Sequence, residues 1–344
     1  MKKKYVRWTL WTIASPFILF IILCILIYLP PIQNFLVDKA AVYASEATGM
    51  NISVGRISLS FPLNLVVTNV DAASPHNDTL LSVRRLQVNV QLLPLLKKQV
   101  EVDGISLQGA TVNSNDLIHG MKLNGTLGEL FISSHGVALD PETAIVNKVL
   151  LKDTDLSLCL NDTAAADTAA SDTTYWKIIL QDIDLQNVSF ALDMPLDSLS
   201  LAASLDNAIL RDGLIDLHKS AYSLQTFRIK NGRVRYDSGK PLAADSLPSG
   251  LDPSHIALTD IGVKLDSLYY GGRNMKAIIS QFVLKERSGV EIVSATGRMV
   301  SNDKVLRVPS LKLETRDSYL ELNAAMDWTA LDFTDEGLVP ARRR

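Results

Sequence analysis

Histidine, cysteine and serine are the residues through which this 344-residue chain could do metal, acid–base or nucleophilic chemistry. Their spacing points to none of these. His76, His119, His135, His218 and His255 stand far apart, none with another ligand at zinc-site spacing, and they read as surface histidines, mostly in turns. There is no glycine-rich phosphate loop and no G-x-S-x-G elbow, and serines near turns lack a recognisable histidine partner. Gly271-Gly272, after Tyr269-Tyr270, reads as a hairpin turn between a strand ending at Leu268 and one starting at Met275. Cys24 and Cys159 are the only cysteines; Cys24 lies in an apolar run, so no disulfide is expected. Most acidic residues take the polar alternate positions of strands. The expectation is a protein that is not an enzyme, with no catalytic residue, metal or cofactor.

The elements around these residues say more. Trp8 to Leu29 is an uninterrupted apolar run preceded by Lys2, Lys3, Lys4 and Arg7. As a helix it would span about 33 Å, enough for a hydrocarbon core of about 30 Å. Tyr28-Leu29-Pro30-Pro31 offers no small-residue cleavage site, so the run reads as an uncleaved anchor. By the positive-inside rule residues 1–7 are a cytoplasmic basic segment, 8–29 the transmembrane anchor, and the rest is exported. Beyond Leu29 thirty-seven acidic residues face thirty basic ones. That excess argues against nucleic acid as a partner, and against a basic patch docking on anionic lipid heads.

Residues 32–48 carry Ile32, Phe35, Leu36, Ala40 and Tyr43 at helical spacing, an amphipathic helix that Gly49 should stop. From Ile52 the period becomes two. Leu86, Val88 and Val90 alternate with Gln87 and Asn89, and Phe227 and Ile229 with Arg228 and Lys230. Such strands have one apolar and one wet face, the pattern of antiparallel sheet. The expected β regions are 49–160, 175–236 and 256–333. Between them lie a flexible low-complexity loop at 161–174 and a Gly/Pro-rich loop at 237–255. No second long helical pattern is available to cover the apolar face. The fold class is therefore mainly β: a transmembrane helix and a short amphipathic helix, then an elongated, twisted, mostly antiparallel sheet forming a groove or open sandwich.

A repeat runs through the strands. Val102, Ile105, Leu107, Gly109 and Val112 stand at offsets 0, 3, 5, 7 and 10, matched from Leu180 by Ile183, Leu185, Asn187 and Phe190, and from Leu224 by Phe227, Ile229, Asn231 and Val234. Partial copies begin at Leu258 and Val308. Gly or Asn at offset 7 suggests positive φ, read as a tight turn between two strands.

In this order the features resemble the AsmA-like proteins, most closely their translocation-and-assembly (TamB-type) branch. The likeness covers the basic start and single span, the helix through Gly49, Ile52-Ser-Val-Gly-Arg-Ile57, Phe61-Pro-Leu63 to Val70, Asp78-Thr-Leu-Leu81 and the strand to Leu92. It continues with Pro94-Leu-Leu-Lys-Lys98 and Val102 to Ala110. It is dense over about the first 115 residues, and beyond them only the repeating strand style continues it. The resemblance implies an inner-membrane protein of a double-membraned bacterium, single-pass with the bulk in the periplasm, that holds or conducts phospholipid for outer-membrane biogenesis. TamB-type relatives are far longer, so 334–344 reads as a truncated tail. On alternation the lining candidates are Leu86, Val88, Val90, Val102, Ile105, Leu107, Ile183, Leu185, Phe227, Ile229, Ile261, Val263, Leu311 and Leu313, each equally suited to the core of a closed sandwich. The alternative expectation is a scaffold for outer-membrane β-barrel proteins, with an outer-membrane assembly protein as partner and strand addition as the mode. Asp-Ser and Asp-Thr pairs also resemble O-glycosylation sites of exported bacterial proteins, at Thr79, Thr163, Thr168, Thr173, Ser198, Ser246 and Ser267. Ordinary turn and cap chemistry accounts for such pairs as well.

Overall fold

Stretches of up to eighteen residues, in which apolar and polar residues alternate with one or two changes of phase, each form one strand in the computed structural model of the protein. It describes residues 30–60, 64–74, 78–91, 102–114, 120–138, 142–161, 175–239, 250–272, 274–327, 331–334 and 337–340. The expected anchor at 8–29 and most of the 161–174 and 237–255 loops lie outside them. No described helix is long and apolar enough to cross a membrane. Fifteen strands are hydrogen-bonded into one mostly antiparallel sheet. The chain divides into two units, through Ala110 and from Thr111.

The first unit holds helix α1 (Pro30–Thr48) and strands β1 (Asn51–Ser60), β2 (Asn64–Ala73) and β3 (Thr79–Val90). It also holds most of β4 (Val102–Asn113). Gly49 ends α1 as expected: its φ is +69° and its N–H donates to the Ser45 carbonyl at 2.9 Å. Of the residues expected to form the helix's apolar stripe, Phe35 and Tyr43 are exposed and the side chains of Ile32, Leu36 and Ala40 lie outside the described ones; Val37 is buried.

The second unit holds β5 (Met121–Ala138), β6 (Thr143–Leu160), β7 (Lys177–Met194), β8 (Leu199–Asp216), the short β9 (Ala221–Leu224), β10 (Thr226–Ser238), β11 (His255–Gly271), β12 (Asn274–Glu286), β13 (Glu291–Ser301), β14 (Val305–Thr315) and β15 (Tyr319–Asp327). A separate hairpin joins β16 (Leu331–Thr334) to β17 (Gly337–Pro340). β6 and β7 pair in parallel, and every other neighbouring pair described in this unit is antiparallel. Gly272, at φ +64°, turns β11 into β12; the hairpin is where the sequence puts it, with β11 reaching three residues past Leu268.

The offset-7 residues of the repeat correct the sequence reading. Gly109, Asn187 and Asn231 do have positive φ, +60°, +50° and +52°, but each lies inside a strand rather than between two. The left-handed residues line up across neighbours. In the second unit Gly128, Asp153, Asn187, Asp206 and Asn231 occupy the gaps left in successive ladders, with Asp153 at φ +49°. Asn187 donates through Nδ2 to Asp153 Oδ1 at 2.9 Å, and Asn231 to Asp206 Oδ2 at 2.6 Å. A second line six residues along joins Asn147, Gln181 and Asp212, the last at φ +52°. In the first unit Gly55, Asn69 and Arg84 fill equivalent gaps, with Asn69 at φ +53°.

Along the first line in the second unit the facing strand also skips one residue, so the ladders from β5 to β10 keep their register there while the pleat changes parity; between β10 and β11 the register shifts, as in a bulge. A Cβ placed on Gly232 would lie 3.2 Å from Ile229 Cγ2, and one on Gly213 2.9 Å from Leu210 Cδ2. Residues three apart across the line therefore share a face. This explains the offsets 5 and 10 of the repeat, whose odd separation would put them on opposite faces of an unbroken strand. The residue types follow, because Asn, Asp and Gly tolerate the left-handed region best. Asn231→Val should cost about 1–3 kcal/mol by forcing a β-branched residue into this conformation. Asn231→Gly should cost clearly less; thermal unfolding followed by circular dichroism compares the two.

Candidate functional site

Between the two lines of skipped residues, the register brings apolar side chains together in two rows that cross ten strands. One row joins Leu130, Leu151, Leu185, Ala208 and Ile229 across β5 to β10. It continues with Val263, Phe282, Ala295, Leu313 and Leu320 across β11 to β15. Its neighbour joins Ile132, Val149, Ile183, Leu210 and Phe227, then Leu265, Ile279, Gly297, Leu311 and Leu322. At about 4.8 Å per strand each row is about 43 Å long. Cross-strand pairs of this kind are the unit from which sheets gain stability.

Beyond the first line the same face continues with Leu156, Phe190, Ala203, Val234 and Leu258, again cross-strand partners in order. Ala203 in the middle leaves an open depression of about 430 Å³ in this row. Its size falls within the range of about 300–1,000 Å³ usual for small-molecule pockets. Beyond the second line the face continues with Leu180 and Gly213, then Ile178 and Ile215.

This face lacks the burial of a sandwich core. No large side chain among the described residues is fully buried, and the buried members of the two long rows are small: Ala208 at 5 % and Ala295 at 8 % exposure. Leu185, Ile229, Val263 and Leu313 are only half-buried. The opposite face is more polar, although Phe131, Leu150 and Ile209 lie on it. Asp182 pairs with Arg211, whose guanidinium also donates to the carbonyls of Ile183 and Leu210 at 3.1 Å, and Asn207 donates to Asp184 at 3.1 Å.

Of the sequence candidates, the rows gather Ile183, Leu185, Phe227, Ile229, Val263, Leu311 and Leu313. Ile261, buried, lies just past the first line opposite Gly232. Leu86 and Val88 join similar rows within the first unit, Leu86 through Val67 to Ile57 and Val88 through Leu65 to Leu59. Val90 follows on β3, and Val102, Ile105 and Leu107 lie on β4, with Ile105 exposed. Strict alternation reaches Leu265 in phase with Ile261 and Val263, but misses Leu151 and Ala208; the signal that finds those two is Asp153 or Asp206, at which the apolar phase changes parity.

His255 corrects the expectation of surface histidines. It is only 8 % exposed, because it opens β11 against the end of β10, where Nδ1 is 3.1 Å from Asp237 Oδ1. His218 lies exposed in the turn after β8, while His76 and His119 lie outside the described residues. Among the described residues no group of three or more potential ligands could hold a metal. Of the glycosylation candidates, Thr79 and Ser198 are exposed and Ser267 is half-buried in β11; Thr163, Thr168, Thr173 and Ser246 lie outside the described residues.

Two carboxylates tie down strand ends beside the depression. Burial raises the pKa of Glu286, but hydrogen bonds from Ser288 and from the Ala257 N–H at 3.3 Å outweigh it and hold the group below its ordinary value. Asp237 is likewise held low, burial being outweighed by Arg235 at 2.6 Å and by His255. A folded-state pKa below the unfolded one contributes stability above the unfolded value and loses it as pH falls through the folded one. Acid titration of stability should therefore decline below the ordinary carboxylate range, and Glu286→Gln should flatten that decline while lowering stability at neutral pH. No family model matches the chain, and no match is found among curated proteins.

Proposed function

We propose that this chain is a membrane-anchored, non-enzymatic protein of the AsmA-like, TamB-type kind that holds phospholipid acyl chains on the apolar face of its sheet. In this reading residues 8–29 are the inner-membrane anchor and the sheet stands in the periplasm, handling lipid for the outer membrane. The observation that carries it is the pair of apolar rows crossing ten strands with half-buried Leu, Ile, Val and Phe side chains. A surface of that kind is far beyond the scattered apolar residues of an ordinary monomer. Each CH₂ taken from water onto it gains about 0.8 kcal/mol, so an acyl chain is held without a head-group site. The depression over Ala203 is where one chain would sit deepest.

Native mass spectrometry of the full chain, extracted from membranes without harsh delipidation, should find phospholipid bound. Leu185→Asp with Ile229→Asp should remove most of it while circular dichroism keeps its β spectrum. Ala203→Trp, which fills the depression without adding charge, should lower the bound amount less. A folded, lipid-free wild type would overturn the reading.

The scaffold reading draws on one observation of its own. β15 pairs on one side with β14, and its Tyr319, Leu320, Leu322 and Met326 are exposed, with no proline or lysine to guard the strand. Strand addition there uses backbone groups, so it should survive the Leu185→Asp and Ile229→Asp changes and fail with Ala324→Pro. Cross-linking to an unfolded outer-membrane barrel protein measures both.

A further inference from the structure

One group of strand ends in the second unit carries a surface unlike the rest. The start of β7, the turn from β8 into β9, and the β11–β12 hairpin lie side by side. Lys177 is opposite Asp216, Asp216 opposite Ala221, and Ala221 opposite Gly271. Four tyrosines stand out along this edge: Tyr175, Tyr222, Tyr269 and Tyr270 are 52, 40, 41 and 45 % exposed, with Leu217 exposed beside them. Tyr222 and Tyr270 are cross-strand partners, their rings stacked with centroids 6.2 Å apart. Tyr175 meets His218 edge-on at 5.2 Å.

The charges on this edge are sorted. Its carboxylates serve the backbone: Glu142 Oε2 accepts from the Tyr175 N–H at 2.8 Å, and buried Asp216 accepts from the Lys219 N–H at 3.0 Å. The side chains of Lys177, Lys219 and Lys276 are exposed. Acids outnumber bases in the chain beyond Leu29, yet within these three segments the exposed full charges described are basic; the next turn along, after Ser301, adds exposed Asp303 and Lys304. Tyrosine rings place an apolar body and a polar tip at a water–lipid boundary, and lysine ammonium groups meet lipid phosphates.

We infer that this strand-end edge docks on an anionic bilayer surface. The inference builds on the lipid-holding reading, since the Tyr222–Tyr270 pair ends the apolar face. Its row runs through Ile215 and Ile178 on one side and Met275 on the other. An acyl chain leaving the bilayer at these tyrosines meets the apolar face directly.

The test uses the full chain, with Cys24 and Cys159 changed to Ser, reconstituted in vesicles. An environment-sensitive fluorophore is attached at Tyr270→Cys or, at the other end of the strands, at exposed Leu196→Cys. In vesicles of phosphatidylglycerol and phosphatidylethanolamine the label at 270 should brighten several-fold and shift to the blue, while the label at 196 should not. Pure phosphatidylcholine vesicles, high salt, or Lys177→Glu with Lys219→Glu and Lys276→Glu should abolish the change. A label at 270 that stays in water, or responds equally in neutral vesicles, overturns the inference. So does a response that follows protein concentration instead of lipid, which would make the edge a contact between copies of the chain. Bound phospholipid with no signal at 270 defeats the docking edge alone. A charge-dependent signal from a chain that carries no lipid defeats the lipid-holding reading and leaves the edge standing.

Discussion

Successive side chains of a strand alternate between two faces, so an apolar pattern that changes parity midway stays on one face only where the backbone reverses its pleat. The left-handed Asp, Asn and Gly residues are this protein's answer, and the rest of the second unit depends on them. At Asp153, Asn187 and Asn231 the backbone takes a conformation that costs a β-branched residue dearly. The side chains then hydrogen-bond to the neighbouring strand, so the parity changes of neighbouring strands fall in line. Were one parity change to slip, the apolar residues beyond it on that strand would turn to the wet face. The lines therefore determine both register and the continuity of the apolar surface.

That surface is unusual in how it is made. Its most buried members are alanines, and the bulky residues beside them keep a substantial part of their area in water. Folding gains correspondingly less from burial than it would in a two-layer core, and backbone pairing carries a larger share. The polar face compensates in part: Arg211 bridges Asp182 and two carbonyls, and Asp184 gathers Gln186 and Asn207. A sheet stabilised in this manner tolerates an apolar occupant on its other face, because packing there is not already complete.

Much of the fold was legible in the sequence. Alternation located the strands, Gly49 the end of α1, and Gly271-Gly272 the β11–β12 hairpin. The repeat was visible too, but its Gly and Asn positions admit two physical readings, a chain reversal or a parity change within one strand, and local residue preference is the same for both. Only the long-range ladder decides between them. The same ambiguity hid half of the apolar rows, since a parity change at Asp153 or Asp212 makes Leu151 or Gly213 look out of phase. His255 escaped for a different reason: its partner Asp237 is eighteen residues away, and a pairing across a loop leaves no local trace.

The parallel pairing of β6 with β7 has a consequence for how the sheet assembles. In the hairpin of β5 with β6, and in that of β7 with β8, contacts begin five residues apart and zip outward from the turn. Along the β6–β7 seam every partner is thirty-four residues away, from Thr143 and Lys177 onward. The first contact there must close a loop of that length, against five residues in either hairpin, so it costs more loop-closure entropy and is expected to join after the hairpins on either side. Until it does, the protein is two separate sheets, each with a long unpaired edge, and that interval is when the growing chain is most open to pairing with the wrong strand.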